Sequence, residues 1–431
     1  MTYPDSVQFL YAIGNELRSA RLDLGRMTAM LEALGHPERG GRYVHVAGTN
    51  GKGSTCAMIE AGLRAAGLRT GLYTSPHLVE PTERIRLNGR PVSRDDFAAA
   101  FNRIHTAAVR LADGGGIDTH PTYFETVTLM ALLLFREKAA DIAVMEVGLG
   151  GRLDATNVIT PEVCAITPID FDHENILGSS LAAIAGEKAG ILKRGVRAVI
   201  APQRAEALER IKEAAAKAGA PLTLIGEGDM EGVDLDARGC RFTLRREGRA
   251  IPVECPLAGE HQVVNAATAA AVLDLLKVSP EGIAAARWPG RLECVSEAPE
   301  IILDGAHNPG GARALAAYLD RFYAHRRVWI VYATMRDKSV DEIAELLSSR
   351  ASELVLTKVD STRALRPEAM AGLFRHPRLR LTGSVGEAIE VVRREAAAED
   401  AVFITGSLFL VGEARALLAG SAGSGGGSGE G

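Results

Sequence analysis

The chain lacks a basic surplus. Its 49 Lys and Arg stand against 54 Asp and Glu, for a net charge of −5. Nothing in that balance neutralises a polynucleotide backbone, so nucleic acid is not an expected partner; a local patch for a small anion remains open. Cysteine is scarce, with five residues at Cys56, Cys164, Cys240, Cys255 and Cys294. The number is odd, the positions are scattered, and no pair has metal-ligand spacing. That excludes a disulfide framework and reads as reduced, mostly buried thiols in a cytoplasmic protein. The stretch Met1 to Leu10 has neither a basic start nor a long apolar core, so no secretory signal is expected there. The most apolar run, Val127 to Phe135, is too short to span a bilayer, and no membrane partner is expected. What is present is ordinary for a globular protein: 47% hydrophobic and 24% charged residues. A length of 431 residues makes two domains the prior.

The most informative stretch is His45-Val46-Ala47-Gly48-Thr49-Asn50-Gly51-Lys52-Gly53-Ser54-Thr55. Tyr43 to Ala47 is an apolar run that predicts a buried strand, the glycines break it, and Ser54 to Ala66 has helical composition. Strand, glycine turn, Gly-Lys-x-Ser and helix are the layout of a phosphate-binding loop. Glycines let backbone N–H groups converge on phosphate oxygens, and the helix N-terminus adds its positive end. Lys52 supplies a mobile charge for the outer phosphates, and the hydroxyl of Ser54 or Thr55 is placed to reach magnesium. The spacing is unusual, since Gly48 precedes Gly51-Lys52 by three residues rather than five.

Along the chain, strands and helices alternate in a way that predicts a parallel sheet covered on both faces. In such sheets ligands bind beyond the carboxyl ends of strands. Ser75, Glu146 and His173 fall at such ends, together with Lys52 and Ser54, and make a magnesium site plausible. His173 also reads as a hydrogen-bonding loop residue. Glu146, closing the apolar strand Asp141 to Val147, is costly to leave unpaired. On the helix after Ser180, Leu181, Ile184, Lys188 and Ile191 share one stripe, so Lys188 either snorkels or is desolvated with a lowered pKa. A boundary is expected between Trp288 and Glu300, where Pro289-Gly290-Arg291 precedes an acidic stretch. A second strand–helix series starts at Ile301. It has no G-x-G-x-x-G after a strand, so no nicotinamide site is expected. There, Asp304 and Asn308 read either as helix caps or, with His307, as ligand contacts. The fold expected is α/β: a P-loop parallel-sheet ATPase domain over 1–296, a smaller Rossmann-like domain over 297–419, and a disordered Gly/Ser tail over 420–431.

The ordered motifs resemble the folylpolyglutamate synthase family, including its bifunctional dihydrofolate synthase members, within the Mur ligase superfamily. The matching pieces are Val46 to Thr55, Ser75-Pro76-His77-Leu78, Glu83-Arg84-Ile85, Glu146 to Asn157, Glu187-Lys188-Ala189-Gly190-Ile191, Gly259-Glu260-His261-Gln262 with Asn265-Ala266, Pro289-Gly290-Arg291, Asp304 to Pro309, and Thr405-Gly406-Ser407-Leu408. They cover nearly the whole chain, apart from the glycine tail.

The resemblance implies an ATP-dependent ligase that adds L-glutamate to a folate or to dihydropteroate through an acyl phosphate, working as a cytoplasmic monomer. It implies ATP on Gly51, Lys52, Gly53, Ser54, Asn265, Arg291 and Asp304. Magnesium, as two ions, would be held by Ser75, Glu146, His173 and a carbamylated Lys188. Lys52, Lys188 and His173 would serve catalysis. The pterin would meet Leu22, Asp23, Leu24, Thr122, Tyr123, Phe124 and Glu125. Asp154 would also contact substrate, and His307 and Ser407 would lie near the incoming glutamate. Two rivals are weighed beside this: a Mur-type ligase of cell-wall nucleotides, and a guanine-nucleotide switch suggested by Thr357-Lys358-Val359-Asp360 after a strand.

Overall fold

Five consecutive residues, Tyr43–Ala47, form the strand β1 and are all buried, as a central parallel strand requires. The computed structural model describes residues 1–14, 24–336 and 340–422, with the side chains of 420–422 left aside. β1 is the fifth strand across an eight-stranded sheet. The others are β2 (Thr70–Tyr73), β3 (Ile85–Leu87), β4 (Arg90–Pro91), β5 (Ile142–Glu146), β6 (Val163–Ile166), β7 (Arg197–Ile200) and β8 (Leu222–Leu224), in the order β4-β3-β2-β5-β1-β6-β7-β8. From β2 to β8 every pairing is parallel; β3 runs antiparallel to β2, and β4 to β3. The expected parallel sheet is therefore present, with an antiparallel edge where a hairpin-like piece was read around Glu83 to Gly89.

Apolar helices cover this sheet. Tyr123–Glu137 is buried along nearly its whole length and joins Phe97, Phe101 and Met145 in one core cluster. Ile184, Ile191 and Ile211 join Ile166 and Ile200 in another. The run Val127 to Phe135 is thus a core helix. A three-stranded sheet follows, built of β9 (Met230–Leu235), β10 (Cys240–Arg246) and β11 (Arg249–Cys255).

The second sheet has six strands: β12 (Glu293–Glu297), β13 (Glu300–Leu303), β14 (Val328–Tyr332), β15 (Glu353–Leu356), β16 (Leu379–Leu381) and β17 (Ala401–Thr405), ordered β12-β13-β17-β14-β15-β16. β13 to β17 are the strands expected from Ile301 onward, and all pair in parallel. β12 is an addition: it pairs antiparallel with β13 across the acidic segment read as a boundary. The chain accordingly divides at Arg287/Trp288, ahead of the expected residue 296, and the segments 235–240 and 257–261 group with the second unit. The last helix, Leu408–Ala422, runs past residue 419, where the Gly/Ser tail was expected to begin.

Candidate active site

Four parallel strands, β2, β5, β1 and β6, bring their carboxyl ends to one edge of the first sheet, because Tyr73 pairs with Met145, Val46 with Glu146, and Ala47 with Ile166. The segments that follow carry the polar residues. After β1 the chain enters the phosphate loop through Gly48, at φ +146°, and Gly51, at φ +84°. A methyl group on Gly48 would fall 1.9 Å from Thr167 Oγ1, and one on Gly51 would fall 2.1 Å from Asn265 Oδ1. Only glycine fits either position. The loop is tied to the segment after β6: Thr49 and Asn50 donate their N–H groups to the Pro168 carbonyl at 3.1 and 3.2 Å, and Thr49 Oγ1 donates to Asp170 O at 3.0 Å. Gln203 braces that segment, accepting from Ile169 N at 2.9 Å and donating to Thr167 O at 3.1 Å. Gln203 was not singled out in the sequence, since nothing local marks a glutamine whose partners lie on another strand.

Lys52 opens the helix Lys52–Ala65, and its Nζ donates to Thr49 O at 3.2 Å. Ser54 and Thr55 are buried, and Thr55 Oγ1 has no hydrogen-bond partner. Glu146, at 4% exposure, is a buried carboxylate that accepts from Ser75 N at 3.0 Å. His173 stands in the left-handed region at φ 54° and caps a short helix. Its Nε2 lies 3.9 Å from Asp172 Oδ1.

Lys188 lies in the stripe predicted for it, and Leu181, Ile184 and Ile191 are buried beside it. It does not snorkel. Its side chain turns inward, and Nζ donates to Gly48 O at 2.8 Å. Burial, then the charge of Lys52, lower its pKa to about 7, against the opposing pull of Asp172 and Asp154. A buried lysine whose pKa is depressed thus touches the backbone of the phosphate loop.

Asp154, expected to contact substrate, is engaged by its own loop. It is buried, and its oxygens accept from Gly148 N at 3.0 Å, Leu149 N at 2.8 Å, Thr156 N at 3.0 Å and the Thr156 hydroxyl at 2.5 Å. Four donors occupy a carboxylate's acceptor sites. Asp154 therefore holds the loop that leaves β5, and burial raises its pKa. The Thr156 hydroxyl accepts in turn from His45 Nε2 at 2.8 Å.

Thr122 and Glu125 form a reciprocal capping box at the start of Tyr123–Glu137, with bonds of 2.8 and 3.1 Å. Tyr123 stacks on Tyr11 at 6.0 Å between ring centroids and lies under the Arg84 guanidinium. Arg84 Nε donates to His77 Nδ1 at 2.8 Å, and His77 Nε2 faces Tyr11 Oη at 3.2 Å. Phe124 packs so closely on Gly148 that a methyl there would fall 2.4 Å from its ring. Leu24 precedes the helix Gly25–Ala33; Leu22 and Asp23 lie outside the described residues.

In the second unit, the loops after β13 and β17 lie side by side, with Gly406 N donating to Ala306 O at 3.0 Å. Asp304 accepts from Leu292 N at 3.1 Å and Ala306 N at 3.0 Å. Asn308 caps the helix Pro309–Phe322, accepting from Gly311 N. His307 Nδ1 donates to Gly305 O at 2.8 Å. Ser407, nearly buried, accepts from Phe409 N at 3.1 Å. Arg291 lies against Gly305, where a methyl would fall 2.3 Å from its Nη1. His307 and Ser407 are thus neighbours through adjoining loops, and Asp304 holds the backbone that carries them.

Among the described residues, no three His, Cys, Asp or Glu side chains converge into a ready metal cage. The Glu146 carboxylate beside Ser75 offers oxygen donors of the kind a hard ion such as magnesium takes while keeping most of its water. Nor, among those residues, is any helix long and apolar enough to cross a membrane.

Sheet order, phosphate loop and buried lysine define a P-loop ligase architecture. Residues 46–273 match the Mur ligase middle domain, and residues 290–408 match the Mur ligase glutamate ligase domain. The chain belongs to the folylpolyglutamate synthase/dihydrofolate synthase family of Mur ligases. It is 35% identical to the dihydrofolate synthase/folylpolyglutamate synthase of Bacillus subtilis, over 92% of this chain and 94% of that one. It is 34% identical to the folylpolyglutamate synthase of Lacticaseibacillus casei, over 97% and 99%. Among solved structures, Mycobacterium tuberculosis folylpolyglutamate synthase complexed with ADP superposes with a TM-score of 0.89 at 34% identity, over 96% of this chain and 99% of that one. E. coli FolC in complex with DHPP and ADP gives 0.87 at 31% identity, over 98% and 99%.

Proposed function

We propose that this chain is an ATP-dependent ligase that joins L-glutamate to a folate, and to dihydropteroate, through an acyl phosphate. The observation that carries the reading is the gathering of Lys52, Ser75, Glu146, His173 and the inward Lys188 along the carboxyl edge of one parallel sheet. The substrate carboxylate attacks the γ-phosphorus of ATP, and ADP leaves. The amine of glutamate then attacks the acyl phosphate, and phosphate leaves as the amide forms.

Lys52 and the N-terminal amides of its helix hold the phosphates and offset charge on the transferring group. Gly51, Gly53 and Ser54 complete that cradle. Asn265, Arg291 and Asp304 serve the nucleotide, Asp304 by fixing the backbone around Arg291. Ser75, Glu146 and His173 would hold magnesium, which supplies positive charge beside the phosphates when bound. Lys188 in neutral form can react with carbon dioxide; the carbamate would give a second ion its ligand. Tyr123, Phe124 and Leu24 frame the pterin side, with Thr122 and Glu125 shaping the helix start, and His307 and Ser407 serve the incoming glutamate. The family resemblance and the DHPP complex of the E. coli relative support the folate assignment over a cell-wall nucleotide. The family assignment supports the ligase reading over a guanine-nucleotide switch.

Steady-state ligation with dihydropteroate and tetrahydrofolate as alternative acceptors tests this reading, with Lys52→Ala as the control. Glutamate-dependent phosphate release with one or both acceptors is expected, lowered by several orders of magnitude in the variant. Release with neither acceptor, or an undiminished rate in a folded Lys52→Ala protein, would overturn it.

A further inference from the structure

We infer that Gln262 is a positioning residue for the phosphate loop, setting the direction in which the Ser54 hydroxyl presents its proton. The inference rests on the ATP reading above and adds to it a residue given no role there. Gln262 lies on the helix His261–Leu275 and is fully buried. Its Nε2 donates to Ser54 Oγ at 3.2 Å, and its Oε1 accepts from Asn265 Nδ2 at 2.9 Å. Asn265 is likewise buried, and its amide is pressed against Gly51, where an added methyl would fall 2.1 Å from Oδ1. Two primary amides therefore run in series from the turn of the phosphate loop back to the first turn of its helix.

The direction of the relay has a chemical consequence. Each amide has a donor end and an acceptor end. Turning Gln262 over would set its NH2 group against the NH2 of Asn265, so one amide cannot invert without the other. With the relay as found, Gln262 fills a lone pair of Ser54 Oγ. The hydroxyl proton is then directed away from Gln262 and is available to a phosphate oxygen. An acceptor at position 262 would draw that proton inward. An apolar residue would leave the hydroxyl undirected and strip Asn265 of its acceptor, so the amide against Gly51 would lose its anchor as well. Burial makes the arrangement selective, because no water replaces a lost partner there.

The test is a double-mutant cycle on the affinity of the full chain for β,γ-methylene-ATP with magnesium, measured by calorimetry. Gln262→Met is expected to weaken binding about tenfold, the scale of one buried hydrogen bond. In a Ser54→Ala background the same substitution is expected to cost much less, because the group it directs is gone. Gln262→Glu keeps the acceptor for Asn265 and repeats the cycle should the Met variant not fold; the part of its loss that vanishes with Ser54→Ala reports the hydroxyl. Equal losses in both backgrounds, unchanged affinity in a folded variant, or failure of both variants to fold would assign Gln262 to packing alone and overturn the inference. A wild-type chain that does not bind the analogue would instead overturn the ATP reading.

Discussion

Lys188 shows how much one side chain can carry. An ammonium buried among isoleucine and leucine is opposed by desolvation, and here it also feels the charge of Lys52. The resulting pKa of about 7 favours the neutral, nucleophilic amine far more than an exposed lysine would. Lys188→Ala is expected to abolish ligation, and Lys188→Glu to retain a trace by restoring a carboxylate. Intact-protein mass analysis under carbon dioxide should show the mass of one added carbon dioxide, lost in both variants. Its absence from active, magnesium-loaded enzyme would remove the carbamate from the mechanism.

His45 is the second such residue. It lies wholly within the core on β1, burial lowers its pKa to about 3, and Thr156 is its hydrogen-bond partner. Between pH 6.5 and 3 the unfolded chain binds a proton at this position and the folded chain does not. Stability from this residue is thus intact above pH 6.5 and falls as the pH drops through that window, by at most about 1.4 kcal/mol per pH unit. Denaturant melts at pH 7 and pH 4.5 should show a smaller acid loss for His45→Gln than for wild type. An identical acid limb would mean that His45 titrates normally.

At the scale of elements, the phosphate loop is a turn whose shape is held from outside. Its backbone bonds reach the segment after β6, and its glycines have no room for a side chain. Gly48→Ala must displace Thr167 Oγ1, whose own carbonyl would also lie only 3.0 Å from the new methyl. It is expected to cost about 1–3 kcal/mol in stability through backbone strain and crowding. Nucleotide affinity should fall with it, since Thr49 to Lys52 move together. A Gly48→Ala protein with wild-type melting and binding would show that the loop has slack. Most of these elements were legible beforehand. Apolar runs rich in Val, Ile, Leu and Ala and ending in glycine or polar residues marked β1, β5, β6, β13 to β15 and β17, and the short Leu-Arg-Leu of β16 was read with them. β12 was not, because an alternating Glu-Cys-Val-Ser-Glu edge strand has the composition of a linker.

For the whole molecule, the two units have separate hydrophobic cores. Both tryptophans, Trp288 and Trp329, belong to the second unit, and Trp329 is fully buried with its indole N–H on Asp400 at 2.8 Å. Tryptophan fluorescence therefore follows the second unit, whereas far-ultraviolet circular dichroism follows both. The two probes are expected to give non-coincident urea transitions, with two-state behaviour failing for the chain as a whole. Superimposable curves would show that the units unfold as one.

The sequence by itself determined the alternation of strands and helices, the phosphate loop, the buried stripe that contains Lys188, and the order of motifs that marks the family. Each of these is a local pattern, written in spacing and residue type, and survives without knowledge of what packs on what. Only the tertiary structure decided which way the polar groups are committed. The acceptor sites of Asp154 are filled by the backbone and hydroxyl of its own loop. Lys188 could have snorkelled and instead turns to Gly48, 140 positions earlier in the chain. Gln203 is a single glutamine that local sequence does not distinguish, and the motif that includes Gln262 does not say what its amide does; each is defined by the strand or turn it reaches. Hydrogen bonding in a buried site is decided by partners brought together through the sheet, and their separation along the chain carries no local signal.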